Sequence, residues 1–117
     1  MGRKLSDGAG FAPTVVLSAK GEMFKGVLLG KTMRNFGTGE KPVYKFKAVD
    51  ADCHFRQGKT EIDPPTEGAE VELVPSSRLA VQLAQATMGN MYTIVRLEDG
   101  KKGKFGNAPK LFDVEEN

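Results

Sequence analysis

Hydrophobic and polar residues alternate along most of the chain, which is the pattern of half-buried β-strands. The clearest example is residues 43–49, where Tyr44, Phe46 and Ala48 fall on one face and Lys45 and Lys47 on the other. Other short apolar or alternating stretches predict strands over residues 15–18, 23–33, 53–56, 59–62, 69–74, 91–97 and 110–115. The chain is therefore predicted to be mainly β-structure.

Glycine and proline mark where these strands bend or stop. Gly26 and Gly30 lie inside the predicted strand 23–33, where glycine is typical of a bulge or of the sharp bend of a small barrel. Residues 35–42 are rich in glycine and end in a proline, so they predict a loop. Residues 57–58 predict a hairpin turn, and the two prolines within residues 63–68 predict another loop.

One helix is predicted, over residues 77–86. Leu79, Leu83 and Ala86 recur at helical spacing, and Ser76 and Ser77 offer a helix N-cap. The helix thus falls between the third and fourth main strands, and the first of them contains glycine. This order is the layout of an all-β OB-fold, a five-stranded Greek-key barrel with one helix. An SH3-like barrel is the alternative, although such barrels do not normally hold a ten-residue helix there.

The length of 117 residues fits one domain. Residues 1–14 contain three Gly, two Ala, one Ser and one Pro without periodicity, which predicts a flexible N-terminal arm before a single domain over residues 15–117. The longest uncharged apolar run, residues 26–30, is far shorter than the roughly 20 residues that span a bilayer. The first seven residues lack the apolar core of a secretory signal, and a single cysteine, Cys53, suits a reducing cytoplasm.

The charge is unevenly distributed along the chain, although the net charge is only +2. Residues 1–60 carry eleven Lys or Arg against five acids, whereas residues 61–117 carry six against ten. Such asymmetry is typical of a chain that offers one face to an anionic polymer. Scatter of charges over a solvated surface is the alternative.

The sequence offers no constellation that predicts catalysis or metal binding. Residues 30–32 and 58–60 both read Gly-Lys-Thr, but the phosphate-binding loop needs a glycine at positions 25 and 53, which are Lys25 and Cys53. One cysteine and one histidine, His54, cannot form a closed zinc site. The acids between residues 61 and 72 lack the spacing of a calcium loop. We therefore expect no catalytic residue, no metal and no cofactor.

Basic residues interleave with aromatic ones, as single-stranded nucleic acid requires, because cations neutralise its backbone and flat rings stack on its bases. In an OB-fold, the second and third strands and the loops after the first and fourth strands form the ligand groove, and the basic glycine-rich loops at residues 35–42 and 101–107 fall at those loop positions. Phe36, Phe55 and Phe105 lie in loops or at a turn and are the better stacking candidates, whereas the alternation favours Tyr44 in the core. The candidate binding residues are Lys25, Lys31, Arg34, Phe36, Tyr44, Lys45, Lys47, Phe55, Arg56, Lys59, Arg96, Lys101, Lys102, Lys104 and Phe105.

In layout the chain resembles the small single-OB-fold single-stranded DNA-binding proteins that bacteriophages encode. The resemblance covers roughly residues 20–115 and is carried by residues 25–33, 44–48, 77–86, 100–104 and 110–114. It implies sequence-tolerant, non-catalytic coating of single-stranded DNA during replication and recombination in the cytoplasm of an infected bacterial host. It also implies self-association and replication or recombination proteins as partners. Many such proteins end in an acidic tail, which is very short here, at residues 113–117.

Two other functions stay open at this point. A structural β-barrel protein of a virion or of its assembly could insert a flexible Gly/Ala arm into a neighbouring subunit. An OB domain that binds RNA instead of DNA has the same charge and aromatic pattern, because both nucleic acids offer phosphates and bases. No membrane partner is expected.

Overall fold

The structure is a computed structural model that describes residues 12–37, 39–98 and 110–117. These residues form eight β-strands and one α-helix, so the predicted all-β class with one helix is confirmed. The elements are β1 (Thr14–Val16), β2 (Met23–Asn35), β3 (Glu40–Asp52), β4 (His54–Gln57), β5 (Thr60–Ile62), β6 (Glu70–Leu73), α1 (Ser77–Leu83), β7 (Met91–Arg96) and β8 (Phe112–Glu116). Residues 1–11 of the predicted N-terminal arm lie outside the described residues, and the last residue of that arm, Thr14, belongs to β1.

The eight strands form one mixed sheet in the order β5-β4-β1-β6-β3-β2-β7-β8. Neighbouring strands are antiparallel except β1 and β6, which are parallel, with Thr14 opposite Glu72. Each of the eight stretches predicted as strands overlaps with a strand, and three of these strands, β1, β4 and β5, extend the sheet beyond β6. The helix falls between β6 and β7 in the chain, as predicted.

β2 and β3 form a hairpin of two 13-residue strands. β2 extends two residues beyond the predicted strand 23–33, whereas β3 is six residues longer than the predicted strand 43–49. Of the residues of β2, only 23–27 pair with β7. Of the residues of β3, only 44–47 pair with β6. Among the described residues, residues 30–35 of β2 pair only with β3, and residues 40–43 of β3 pair only with β2. We term these two segments the ribbon. Half of the loop predicted over residues 35–42 is thus strand, because β2 ends at Asn35 and β3 begins at Glu40. Pro42 is tolerated because β3 has no second described neighbour there to receive an N–H.

Three phenylalanines form the centre of the core. The ring of Phe24 meets those of Phe46 and Phe55 edge-on, with centroids 5.5 Å and 6.3 Å away. Tyr44 and Ala48 are buried on the same face of β3 as Phe46, whereas the lysines between them are exposed, so the predicted faces of this strand are confirmed.

The helix α1 covers one side of this core with Leu79 and Leu83, as predicted from their spacing. It is shorter than predicted, because the chain tightens after Leu83. There the N–H groups of Gln85 and Ala86 bond to carbonyls three residues earlier, which is the pattern of a 3₁₀ turn. Ser76 occupies the N-cap position in an extended conformation without a side-chain capping hydrogen bond.

Gly26 is the glycine of β2 whose replacement is expected to disturb the fold. It lies at a register shift, and a Cβ atom there would come within 2.8 Å of the carbonyl oxygen of Lys47 and of the Phe24 ring. The carbonyl oxygen belongs to a paired backbone and cannot easily move. We expect Gly26→Ala to lower the free energy of unfolding by about 1–3 kcal/mol in urea titrations, as overpacking does. Gly30→Ala is the control, because no atom lies within 4 Å of the added Cβ; equal stability of the two variants would contradict this explanation.

Candidate nucleic-acid interface

The β2–β3 hairpin brings together five of the predicted phosphate-binding cations and adds Lys41. Residues 25–47 carry six Lys or Arg and a single acid, Glu40. Lys45 lies opposite Gly30, and Lys47 lies opposite Val27, so both lysines extend from the same outer face of the hairpin. Both are exposed, and neither forms a salt bridge with another described residue. Their charges are therefore available to an anion.

The ribbon carries cations on both of its faces. Arg34 lies opposite Lys41 on the face of Lys45, whereas Lys31 lies opposite Tyr44 on the other face. The Nζ of Lys31 is 5.7 Å from the centroid of the Tyr44 ring, within the range of a cation–π contact. Lys41 is absent from the sequence-based candidates, although residues 35–42 were predicted to form a loop beside the ligand groove. Lys41 lies four residues before Lys45, and residues separated by an even number of positions in a strand share a face, so the sequence contained the signal for its position.

Arg34 is held by an acid of β6. Its two terminal nitrogens donate hydrogen bonds of 2.9 Å and 3.1 Å to the carboxylate of Glu72, which is only 5% exposed. Hydrogen bonding to Glu72 raises the pKa of Arg34 above its ordinary value. The pair ties the ribbon to the neighbouring strand β6. In this conformation Arg34 positions the ribbon, and an incoming phosphate would have to compete with Glu72 for it.

Of the aromatic residues predicted to stack on bases, Phe36 is the exposed one within the described residues. It lies at the end of the hairpin, is 42% exposed, and is close in sequence to another exposed apolar residue, Met33. Phe55 is 1% exposed and lies in β4 between β1 and β5, so its prediction as a stacking residue at a turn is wrong. Tyr44 is 2% exposed and belongs to the core, as its alternation favoured. Neither ring offers a free face to a base.

The remaining predicted residues lie away from the ribbon or outside the described residues. Lys25 is half-buried opposite Asp50, and Arg56 and Lys59 are exposed on the β4–β5 hairpin at the far end of the sheet. Arg96 lies in β7, within the predicted strand 91–97, but it is only 6% exposed, with its guanidinium 5.4 Å from the Phe112 ring. The others lie outside the described residues: Lys101, Lys102, Lys104 and Phe105.

His54 lies between two carboxylates at the other end of the sheet. Its Nε2 is 3.2 Å from Glu22 and its Nδ1 is 3.0 Å from Glu61. Glu22 also accepts hydrogen bonds from the backbone N–H groups of Ser18, at 2.6 Å, and Ala19, at 2.8 Å. Burial acts to raise the pKa of Glu22, but these backbone hydrogen bonds together with His54 outweigh it, so the pKa lies below its ordinary value. Glu22 thus fixes the turn that follows β1.

Glu22→Ala is expected to lower the free energy of unfolding by about 1–2 kcal/mol at about pH 7, because the N–H groups of the turn lose a charged acceptor. The folded-state pKa of Glu22 lies below the ordinary value of 4.5, so the ionised carboxylate stabilises the fold above that pH and loses its effect as the pH falls through the folded-state pKa. Urea titrations should therefore show the difference between wild type and variant shrinking at about pH 3. Glu61→Ala, which removes an exposed carboxylate, is the control; a Glu22 effect that is the same at both pH values would contradict this explanation.

Cys53 is a half-buried thiol of low reactivity. Burial is the main cause that raises its pKa to about 12, and the carboxylates of Glu22 and Asp52 add to it. A thiol with such a pKa contains almost no thiolate at neutral pH, so it is a poor nucleophile. Within the described residues, no group of three or more His, Cys, Asp or Glu side chains is placed to hold a metal ion.

In the parts of the chain that the structure describes, no helix is both long enough and apolar enough to cross a membrane. Comparisons with known proteins add no relative. No protein-family model matches the chain, and neither the curated proteins nor the solved structures contain a match.

Proposed function

We propose that this chain is a non-catalytic protein that binds single-stranded DNA along the outer face of its β2–β3 hairpin, largely independently of sequence. The observation that carries the proposal is the long basic hairpin, whose exposed lysines have no acidic partner among the described residues and whose end exposes Phe36. Backbone neutralisation by cations combined with stacking on an aromatic ring is how proteins bind single strands without reading their sequence.

We further infer that the strands have the OB-fold arrangement. Four antiparallel pairs support it: β2 with β3, β3 with β6, β2 with β7, and β7 with β8. The helix between β6 and β7 fits the same scheme, with β1, β4 and β5 as additions. In an OB-fold the second and third strands, here β3 and β6, carry the ligand, and the loop between β2 and β3 borders it.

The distribution of charge suggests a course for the bound strand. Lys45 and Lys47 are two residues apart on one face of β3, which separates their Cα atoms by about 6.6–6.8 Å and suits successive phosphates of an extended strand. On β6, Glu72 lies opposite Lys45 and Glu70 lies opposite Lys47. Arg34 neutralises Glu72, so the exposed Glu70 is the acid that repels phosphates on that side. The bound strand would therefore follow β3 and the ribbon towards Phe36.

The expected ligands of this surface are single-stranded DNA intermediates of replication and recombination. Self-association along the strand and contacts with replication or recombination proteins are expected with it. RNA is the alternative ligand. A structural role in virion assembly is the alternative function, and it predicts assembly without nucleic acid.

The test is the fluorescence anisotropy of a labelled oligothymidine, titrated with the protein at several salt concentrations and competed with duplex DNA and with RNA. If Lys41, Lys45 and Lys47, which share the outer face, each neutralise one phosphate, the slope of log K against log salt should be about −2. Duplex DNA should compete poorly. Absence of binding at low salt would overturn the proposal, and stable self-assembly under those conditions would favour the structural role.

Phe36→Ala is expected to weaken oligothymidine binding by the cost of one stacked base, about 1–3 kcal/mol, and to leave the salt slope unchanged. Phe36→Trp should retain or improve binding, because it keeps an aromatic face. Leu97→Ala, which removes another exposed apolar side chain, is the matched control. If Phe36→Ala binds as tightly as wild type in the same anisotropy assay, Phe36 does not stack on the ligand.

A further inference from the structure

A cavity of about 260 Å³ lies between β1, the beginning of α1 and the beginning of β8. None of its described lining residues belongs to the β2–β3 hairpin. Its polar lining comprises Thr14, Ser18, Arg56, Ser76, Arg96 and Lys110. This site is therefore built from other residues than the proposed DNA track.

The polar side chains of this cavity are three cations and three hydroxyls. The three cations lie far apart in the sequence: Arg56 is in β4, Arg96 is in β7, and Lys110 lies two residues before β8. They are brought together only by folding. No carboxylate lines the cavity among the described residues. Three cations thus line one cavity, and Glu61, the acid opposite Arg56 on β5, does not belong to its lining.

Two of the lining groups are held firmly in the wall. Arg96 is only 6% exposed, and its guanidinium lies against the Phe112 ring, which also lines the cavity. The hydroxyl of Ser76 is buried and has no hydrogen-bond partner among the described residues, and it makes no capping bond to the helix. A buried hydroxyl without a partner is costly, and a ligand oxygen in the cavity would satisfy it.

We propose that this cavity binds a phosphate group, with Arg56, Arg96 and Lys110 as its cationic ligands and Ser76 as a hydroxyl donor. Phosphate offers several charged oxygens, which accept the forked N–H groups of arginine, the ammonium of lysine and a hydroxyl at the same time. The volume of about 260 Å³ accommodates a phosphate with bound water or an attached sugar. The proposal does not depend on DNA binding by the hairpin.

The phosphate could belong to a small molecule or to the end of a nucleic-acid strand, and the experiment separates these sources. Isothermal titration calorimetry with inorganic phosphate, at an ionic strength kept constant with chloride, should show saturable binding to the wild-type protein. Arg56→Gln combined with Lys110→Gln, two exposed positions that leave the core intact, should weaken it at least about tenfold through the loss of two charge-assisted bonds. Ser76→Ala should also weaken it. In parallel, 5′-phosphorylated and 5′-hydroxyl oligothymidine are compared by anisotropy.

A preference for the 5′-phosphorylated strand that disappears in the double variant would identify a strand end as the source. Phosphate binding without such a preference would identify a small phosphate compound. Lys20→Gln combined with Arg78→Gln, two exposed cations that do not line the cavity, is the matched control and should leave phosphate binding unchanged. If wild-type protein shows neither saturable phosphate binding nor a 5′-phosphate preference, or if the double variant binds as wild type does, the inference is overturned. The hairpin proposal would stand in that case, provided that oligothymidine still binds.

Discussion

Reversing the charges of Lys45 and Lys47 together is expected to weaken oligothymidine binding at least about a hundredfold at roughly 0.1 M salt. Each lysine is exposed on the outer face of β3 and lacks an acidic partner among the described residues. Replacing both with glutamate removes two phosphate contacts and places two anions beside Glu70 and Glu72 of β6. The salt slope should also fall by about 1.4, because two fewer counterions are displaced from a single strand.

The matched control is Lys20→Glu combined with Arg78→Glu, which changes the net charge equally. Lys20 pairs with Glu98 through exposed side chains, and Arg78 lies exposed on α1, so both are outside the hairpin. Anisotropy titrations at several salt concentrations measure both variants. Equal weakening by the two pairs would mean that overall charge, rather than the hairpin, attracts the strand. Unchanged affinity of the Lys45/Lys47 variant would overturn the proposed interface.

Phe24→Ala is expected to destabilise the fold severely, lowering the free energy of unfolding by about 3–5 kcal/mol. Phe24 is completely buried and meets the rings of both Phe46 and Phe55 edge-on. Removing the ring leaves a cavity at the point where β2, β3 and β4 meet. The surrounding strands are hydrogen-bonded on both sides and cannot collapse to fill it.

Urea titration followed by circular dichroism measures this loss. Val81→Ala is the control, because Val81 is an exposed apolar residue of α1 and its truncation should change stability by no more than about 0.5 kcal/mol. A small domain has little stability in reserve, so Phe24→Ala should be partly unfolded near room temperature. A loss of less than about 1 kcal/mol would show that the three rings do not form the central packing unit of the core.

The sequence predicted those features that depend on neighbouring residues. The alternation over residues 43–49 assigned Tyr44, Phe46 and Ala48 to the core and the two lysines between them to solvent, and the burial of β3 confirms it. The spacing of Leu79 and Leu83 likewise predicted the buried face of α1. The hairpin between β4 and β5 lies where residues 57–58 predicted a turn.

The errors arose where a distant partner decides the outcome. Phe55 looked like a loop residue beside cations, but β1 and β5 pair with β4 on both sides and bury its ring. Pro42 suggested a loop, yet it lies in β3 opposite Met33 of β2. Proline is accommodated there because no described strand lies on the other side of β3 to accept the N–H that proline lacks. Arg34 looked like a free cation until the fold brought it to Glu72, 38 residues away in the chain.

The amino-acid pattern was sufficient for the β class, the position of the helix, the faces of β3 and the concentration of cations in the first half of the chain, because periodicity and local charge are properties of adjacent residues. The length of the hairpin, the Arg34–Glu72 pair, the burial of Arg96 and the cavity that it lines with Arg56 and Lys110 depend on which strands become neighbours. Strand pairing joins residues far apart in the chain, and no local pattern encodes the partner or its register.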